Sequence, residues 1–279
     1  MDSFVLSQHI GVSGPLTIFD WPAPESPPRG RVLLVHGLGE HMGRYAPVAE
    51  QLRAWGFAVR GYDHYGHGQS AGPRGDMKNG HSVMADLGCV IDETRKLSLA
   101  QGKPLILLGH SMGGLIAGKA VAEAFRQVDG LVMSSPALAT DMNGFQKILL
   151  RLLPRLAPHL CVDNGLKSQF LARDPQVVQD YLKDPLVHRK ISAGLAAWLV
   201  AQGPQVLAQA AEWTTPTLLM YAGQDQLVAP RGSALFAANA PDCVRSKVFE
   251  TMYHEIFNDP DKSLVFDCLK DWLDDHFSA

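Results

Sequence analysis

The 279-residue sequence lacks the signatures of several large protein classes. Only 19% of its residues are charged, too few for a disordered or coiled-coil chain, and a formal net charge of -3 offers no basic field for nucleic acid. The four cysteines, Cys89, Cys161, Cys243 and Cys268, form no closely spaced pair. We therefore predict four reduced, mostly buried thiols and no zinc site.

The sequence also lacks an apolar run long enough to span a membrane. Residues 194–201 (GLAAWLVA) form one of the longest runs, far short of the roughly 20 residues that a bilayer requires. The first ten residues carry Asp2 and show neither the positive start nor the apolar core of a secretory signal. We expect a cytoplasmic protein, and its oligomeric state stays open.

Short apolar segments alternate with helix-like segments along most of the chain. The apolar segments begin at Arg31, Phe57, Pro104, Gly130, Pro216 and Ser246. This alternation predicts an α/β fold with a mostly parallel, eight-stranded sheet flanked by helices. PLTIFDWPA, from residue 15, favours an added antiparallel edge strand, and residues 262–277 favour a closing amphipathic helix.

One long segment interrupts the alternation. No convincing strand is found from about residue 137 to 210, and a connection of this length must have structure of its own. Within it, FQKILLRLLPRLAPHL predicts a helix that Pro154 kinks or ends. Its apolar face would hold Phe145, Ile148, Leu149, Leu152, Leu153 and Leu156, and its basic face Lys147, Arg151 and Arg155. We predict a helical cap over residues 137–210 in a core of residues 1–136 and 211–279.

The segment LLGHSMGG places Ser111 on a turn between a predicted strand and a predicted helix. Gly109 and Gly113 leave room for neighbouring backbone around a strained residue at this turn. The following helix directs its free N–H groups toward developing negative charge. This pattern favours Ser111 as a nucleophile, while the alternative is a tight turn that needs only small residues.

A serine nucleophile needs a base and an acid that orients the base. His254 follows the last predicted strand, so it should reach the carboxyl edge of the sheet where Ser111 lies. Asp225 follows the preceding strand in a GQD turn, with a turn or helix-capping role as its alternative. Asp141 is the reserve acid. His110 adjoins the serine and should point away from its hydroxyl.

The first βα turn, LLVHGLGEH, predicts an oxyanion hole. The backbone N–H groups of Leu38 and Met112 would face the oxyanion. Gly37, Gly39 and Gly43 with Asp63 also come close to a dinucleotide-binding fingerprint. The glycine spacing is one residue too long, and Glu40 places an anion where a pyrophosphate would lie, so we predict no such cofactor.

Several segments together resemble the α/β-hydrolase superfamily, and within it the monoacylglycerol lipase and lysophospholipase branch. They are VHGLGEHMGRY, YDHYGHGQSAGPRGD, LLGHSMGG, LVMSSPALA, YAGQDQLVAP and YHEIFND, spread over residues 31–259. The resemblance implies a triad of Ser111, Asp225 and His254, an oxyanion hole from Leu38 and Met112, and a mobile cap.

The resemblance further implies that Glu40, Arg44 and His110 help to hold the glycerol end of a substrate. The alternatives are a Glu40–Arg44 ion pair and a histidine packed beneath the nucleophile. The favoured function is hydrolysis of monoacylglycerol-like or other single-chain esters, with no metal or organic cofactor and with a cap that could touch a membrane. Two alternatives stay open: hydrolysis of thioesters, aryl esters or peptides, and a non-catalytic ligand-binding relative.

Overall fold

The computed structural model describes residues 4–22, 27–141 and 152–278. Its central feature is an eight-stranded sheet in the order β1-β2-β4-β3-β5-β6-β9-β10. The strands are β1 (Val5–Ile10), β2 (Pro15–Asp20), β3 (Arg31–Val35), β4 (Ala58–Tyr62), β5 (Leu105–His110), β6 (Gly130–Ser134), β7 (Cys161–Asp163), β8 (Lys190–Ser192), β9 (Thr217–Ala222) and β10 (Val244–Phe249). Strands β3 to β10 of this sheet pair in parallel, which confirms the predicted fold class.

Helices cover both faces of the sheet. They are α1 (Ala46–Ala54), α2 (Ser82–Leu99), α3 (Met112–Ala122), α4 (Pro175–Lys183), α5 (Ala193–Ala208), α6 (Pro230–Asn239) and α7 (Lys262–His276). Short 3-10 turns occupy Met42–Tyr45, Ser168–Phe170, Ala210–Glu212 and Ile256–Asn258. Helices α1 and α7 pack on one face, and α2, α3, α5 and α6 pack on the other.

Strand β5 shows why the sequence predicts these strands well. Leu105 and Leu107 point into one apolar cluster, and Ile106 and Leu108 point into the other. Because both faces are covered, every position favours an apolar side chain, and the strand is a continuous apolar run. The same burial places the polar ends of the strands at one edge, where functional side chains collect.

The N-terminal part of the sheet differs from the prediction. PLTIFDWPA forms the antiparallel strand β2, but it lies second from the edge, between β1 and β4. The edge strand is β1, which the sequence did not predict. Its side chains are mostly exposed, with Val5 64% and Ile10 70% accessible, so no buried face imposes a periodic pattern.

The prediction of a strand-free insertion is wrong. Strands β7 and β8 pair antiparallel in a separate two-stranded sheet. Each has three residues, too few to produce a recognisable alternation. Residues 152–156 are helical, so Pro154 lies inside a helical stretch. The positions from Phe145 to Arg151 of the predicted apolar and basic faces lie outside the described residues.

Part of the inserted segment is attached closely to the core. We call residues 170–192 the strap. Its backbone is hydrogen-bonded to three core loops: His188 N–H donates to Gly39 O (2.8 Å), Ser192 N–H donates to Gly75 O (2.8 Å), and Leu171 O accepts from Glu255 N–H (2.7 Å). Helix α5 joins the apolar cluster that also holds α3. The domain division at residues 137 and 210 therefore stays a prediction.

Two expectations from composition can be compared with the structure. All four cysteines are free, but each is only partly buried, so the expectation of mostly buried thiols is wrong. Among the helices of the described residues, none has the length and apolar character needed to cross a membrane.

Candidate active site

Ser111 occupies the turn between β5 and α3 in a strained backbone conformation. Its φ of 54° and ψ of -118° lie outside the regions that most side chains adopt. The turn is tight: a Cβ atom on Gly113 would lie 2.0 Å from Val35 O, and one on Gly109 would lie 2.3 Å from Gly113 O. Ser111 N–H donates to Ser134 O (2.9 Å), which holds the turn against β6.

His254 and Asp225 form a buried pair on the loops that follow β10 and β9. The distance from His254 Nδ1 to Asp225 Oδ2 is 2.6 Å, and the two side chains are 5% and 1% accessible. The other carboxylate oxygen, Oδ1, accepts hydrogen bonds from Leu227 N–H (2.8 Å) and Val228 N–H (3.1 Å). These backbone donors fix the carboxylate so that Oδ2 faces the imidazole.

The pKa values of His254 and Asp225 are shifted in the directions expected of a charge-assisted hydrogen bond. Burial opposes the imidazolium of His254, but the adjacent Asp225 carboxylate outweighs it and raises the pKa of the imidazole above its ordinary value. Burial likewise opposes ionisation of Asp225, but His254 and the backbone donors lower the pKa of its carboxyl. Asp225 is therefore ionised at neutral pH and anchors Nδ1, leaving Nε2 as the basic nitrogen.

A cavity of about 440 Å³ brings the predicted residues to one surface. Ser111, His254, Leu38 and Met112 all line it. Most of its remaining wall is apolar: Leu153, Leu160, Val162, Leu166, Ile191, Ala193, Ala196, Leu199, Val200, Leu227 and Val228. Neither Leu38 N–H nor Met112 N–H donates to another described residue, so both amides are available to an oxyanion.

Glu40 and Arg44 lie beside this cavity in a buried ionic cluster. Arg44 donates to Glu40 Oε2 (2.6 Å) and, through both terminal nitrogens, to the carboxylate of Glu255 (2.8 Å each). Glu40 Oε1 accepts from Gly37 N–H (2.6 Å) and Tyr45 O–H (2.7 Å). The cluster therefore links the loop of the predicted oxyanion hole to the loop of His254.

His110 packs beneath the predicted base. Its ring centre lies 4.7 Å from that of His254, and its Nδ1 is 3.1 Å from Ser134 Oγ. Burial, and then the proximity of His254, lower the pKa of His110 to about 4, so it is neutral at pH 7. Glu40, Arg44 and His110 instead line a small cavity of about 20 Å³. Their contact with substrate stays a prediction.

The other residues considered from the sequence, Asp141 and Asp63, have structural roles. Asp141 is exposed and pairs with Arg231, and the carboxylate bonded to His254 is that of Asp225. Asp63 is buried, and its carboxylate accepts from Met42 N–H and Gln69 N–H (2.7 Å each). These bonds hold the loop that carries Gly43, part of the segment that came close to a dinucleotide-binding fingerprint.

Sequence reasoning missed Glu255, whose carboxylate also accepts from Asn258 Nδ2 (2.8 Å). The only available signal was its position directly after His254, because its partner Arg44 is 211 positions away.

Comparisons with known proteins agree with this arrangement. A sequence model of the family described as serine aminopeptidase, S33, matches residues 26–261. The chain is 36% identical over 288 residues to a monoacylglycerol lipase of Mycolicibacterium smegmatis, covering 99% of this chain and 100% of the relative. It is 31% identical over 238 residues to human monoglyceride lipase, covering 83% and 77% of the two chains. The crystal structure of Paleococcus ferrophilus monoacylglycerol lipase matches with a TM-score of 0.85 and 34% identity, over 94% of this chain and 99% of that one.

The sheet, the strained serine turn and these relatives together define an enzyme of the serine ester hydrolase class. The chain belongs to the α/β-hydrolase superfamily, in its monoglyceride lipase-like branch. The family resemblance read from the sequence motifs is thereby confirmed, and the non-catalytic alternative is not retained. The catalytic roles of the individual residues stay predictions.

Proposed function

We propose that this enzyme hydrolyses monoacylglycerols through an acyl-enzyme formed on Ser111. The observation that carries the proposal is the joint position of Ser111 and the His254–Asp225 pair at one mostly apolar cavity. Its volume of about 440 Å³ lies within the range of about 300–1,000 Å³ that is usual for small-molecule sites. The apolar walls suit a single acyl chain, and the part of the cavity at Ser111 and His254 suits the ester.

In the first half of the reaction, His254 Nε2 takes the proton of the Ser111 hydroxyl while Ser111 Oγ bonds to the ester carbonyl carbon. The N–H groups of Leu38 and Met112 hold the oxyanion of the tetrahedral intermediate. Collapse of that intermediate breaks the bond to the alcohol, and His254 returns the proton to the leaving oxygen. Asp225 stays ionised throughout and keeps the imidazolium oriented.

In the second half, water replaces the alcohol. His254 Nε2 takes a proton from water, whose oxygen attacks the acyl carbon, and the same two N–H groups hold the oxyanion. The bond to Ser111 Oγ then breaks, the serine recovers a proton from His254, and the fatty acid leaves. No step requires a metal ion or an organic cofactor.

The test combines covalent labelling with a substrate panel. A fluorophosphonate probe is expected to label the wild type and not Ser111→Ala, and labelling that persists in the variant would contradict the proposed nucleophile. The panel compares monoacylglycerols, lysophospholipids, p-nitrophenyl esters of rising chain length and aminoacyl anilides. The highest kcat/KM is expected for monoacylglycerols with medium or long chains. A preference for lysophospholipids would indicate that these lipids, and not monoacylglycerols, are the preferred substrates.

The family description makes peptide hydrolysis the second candidate. An aminopeptidase would need an anionic group to receive the free amino terminus of its substrate. Among the described residues that line the cavity, the only carboxylate is Asp141, which is exposed and paired with Arg231. The charge distribution thus favours an ester with an uncharged end. Faster turnover of aminoacyl anilides than of esters would reverse this preference.

We further propose that residues 137–210 act as a cap that makes transient contact with a lipid surface of the cytoplasm. Leu152 is 53% accessible and Leu156 is 81% accessible, an exposed apolar pair on the helical residues 152–156. Wild type is expected to co-sediment with anionic vesicles, and Leu156→Asp to remain in the supernatant. If the two proteins sediment equally, membrane contact either involves another surface or does not occur.

A further inference from the structure

The turn that carries Leu38 is held by a pair of buried histidines that the proposed mechanism does not use. His36 directly follows β3 and has no accessible surface, so it cannot touch a substrate. Its ring centre lies 4.4 Å from that of His64, in an edge-to-face contact. The turn lies beside the nucleophile, because a Cβ atom on Gly37 would lie 3.2 Å from Ser111 Cβ. His36 can therefore influence the reaction only through the backbone of this turn.

The contacts of His36 determine which of its nitrogens carries the ring proton. His64 N–H donates to His36 Nε2 (3.0 Å), and because a backbone N–H can only donate, Nε2 must be unprotonated. Asp63 Oδ1 is 3.9 Å from Nε2, too far to accept a hydrogen bond from it. Burial, and then the proximity of His64 and His67, lower the pKa of His36 well below its ordinary value, so the ring is neutral at pH 7. The single ring proton is thus on Nδ1, which donates to Gly37 O (2.7 Å).

The other polar groups of the turn are fixed by similar bonds. His64 Nε2 donates to His36 O (3.1 Å), and Gly37 N–H donates to Glu40 Oε1 (2.6 Å), so the peptide unit between His36 and Gly37 is held at both ends. In the next unit, Gly37 O accepts from His36 Nδ1. The described peptide bonds are trans, and in a trans unit the N–H points opposite to the C=O. Leu38 N–H is thus directed away from His36, and it alone among these groups donates to no described residue.

The bond to Gly37 O has a direct consequence for catalysis, because Leu38 lines the cavity together with Ser111. We propose that His36 is a positioning residue, whose Nδ1–H bond to Gly37 O directs Leu38 N–H at the oxyanion. This inference rests on the proposed function, in which that N–H group stabilises the oxyanion. The negative charge develops only in the transition state, so a displaced N–H group lowers kcat and leaves KM nearly unchanged.

The kinetic test uses two substitutions that each keep one of the two side-chain hydrogen bonds. In His36→Asn, the amide NH2 lies near the place of Nδ1 and can donate to Gly37 O, but the acceptor for His64 N–H is lost. In His36→Gln, the longer side chain reaches the place of Nε2 and its oxygen can accept from His64 N–H, but the donor to Gly37 O is lost. On a p-nitrophenyl ester, kcat is expected to fall by about tenfold to 10²-fold in His36→Gln and by less than about threefold in His36→Asn.

The two variants are matched controls for each other. Each loses one buried hydrogen bond, so urea unfolding should show similar losses of stability in both. A decyl trifluoromethyl ketone provides a second measurement, since its carbonyl carbon bonds to Ser111 Oγ, the serine proton passes to His254, and the carbonyl oxygen becomes an oxyanion. Its inhibition constant should rise in His36→Gln by the factor by which kcat/KM falls, and should stay near the wild-type value in His36→Asn.

The ring proton can be located in the wild type without any substitution. A long-range proton–nitrogen correlation spectrum is expected to show a protonated Nδ1 and an unprotonated Nε2 for His36, and a proton on Nε2 would overturn the inference. Equal losses of kcat in the two variants, or a larger loss in His36→Asn, would also overturn it, since His36 would then only support the turn. Failure of the wild type to cleave any ester would instead refute the proposed function, and the spectrum would still decide the hydrogen bonding of His36.

Discussion

Replacement of Asp225 by asparagine tests the proposed base most directly, because the structure determines which way the new amide must face. Leu227 N–H and Val228 N–H both donate to Oδ1 of Asp225. In Asp225→Asn this position can be filled only by the amide oxygen, since an NH2 group there would face two donors. The amide NH2 is then directed at His254 Nδ1, 2.6 Å from the present Oδ2.

An NH2 group at that point requires Nδ1 of His254 to accept a hydrogen bond. The neutral imidazole must then carry its proton on Nε2, the nitrogen that should take the proton of Ser111. Loss of the correct tautomer costs turnover by about 10³–10⁴-fold, or about 4–5.5 kcal/mol of transition-state stabilisation. The fold should persist because asparagine has the size and the remaining acceptor of aspartate.

The assay is kcat/KM for a p-nitrophenyl ester as a function of pH, with far-ultraviolet circular dichroism to confirm folding. The pKa of His254 is raised by Asp225, so the acidic limb of the residual activity should move to lower pH when that charge is removed. Asp141→Asn, which alters the exposed carboxylate of the cavity, is the matched control and should retain wild-type activity. A folded Asp225→Asn enzyme that keeps more than about a tenth of wild-type turnover would refute the assignment.

Three further outcomes are expected. Leu38→Pro, which deletes one N–H donor, should lower kcat by about 10²-fold or more, whereas Leu38→Ala should retain activity. Equal kcat values for the two variants would mean that other groups form the oxyanion hole. Glu255→Gln, which breaks the buried pair with Arg44, should lower the free energy of unfolding in urea by about 3 kcal/mol, whereas Asp275→Asn in the exposed pair with Arg245 should change it by less than about 1 kcal/mol. Equal effects of the two substitutions would contradict a stabilising role of the buried ionic cluster. Burial lowers the pKa of His64 from 6.5 to about 4, so unfolding takes up a proton between those values and the free energy of unfolding should fall as pH drops through that window. His64→Gln should reduce this fall. An unchanged pH dependence in the variant would contradict the lowered pKa of His64 as its cause.

The predictable part of the fold is the part where burial constrains every residue. Strands β3, β5, β6 and β9 are covered on both faces, so each is an apolar run that leaves little choice of structure. Strand β1 and the three-residue strands β7 and β8 lack that constraint. Their pairing depends on neighbours brought by the tertiary fold rather than on their own periodicity.

The same distinction applies to the candidate site. Ser111, Asp225 and His254 could be predicted because each follows a recognisable strand, and parallel strands bring their carboxyl ends to one edge. The contact of Arg44 with Glu255 joins loops 211 positions apart, and no local pattern reports it.

The backbone hydrogen bonds of the strap bear on protein engineering. Exchange of caps between hydrolases is an obvious route to new substrate ranges, and it treats the insertion as a replaceable module. Here the strap bonds to the carbonyl groups of Gly39 and Gly75 and accepts from the amide of Glu255, while Arg173 bonds to the Asp259 carboxylate (2.8 Å). A graft that replaces all of residues 137–210 would cut each of these attachments to loops near the candidate site. The better junction for a chimera lies before residue 170. The donor then supplies the part of the apolar wall that Leu153, Leu160, Val162 and Leu166 form, and the host keeps its own strap.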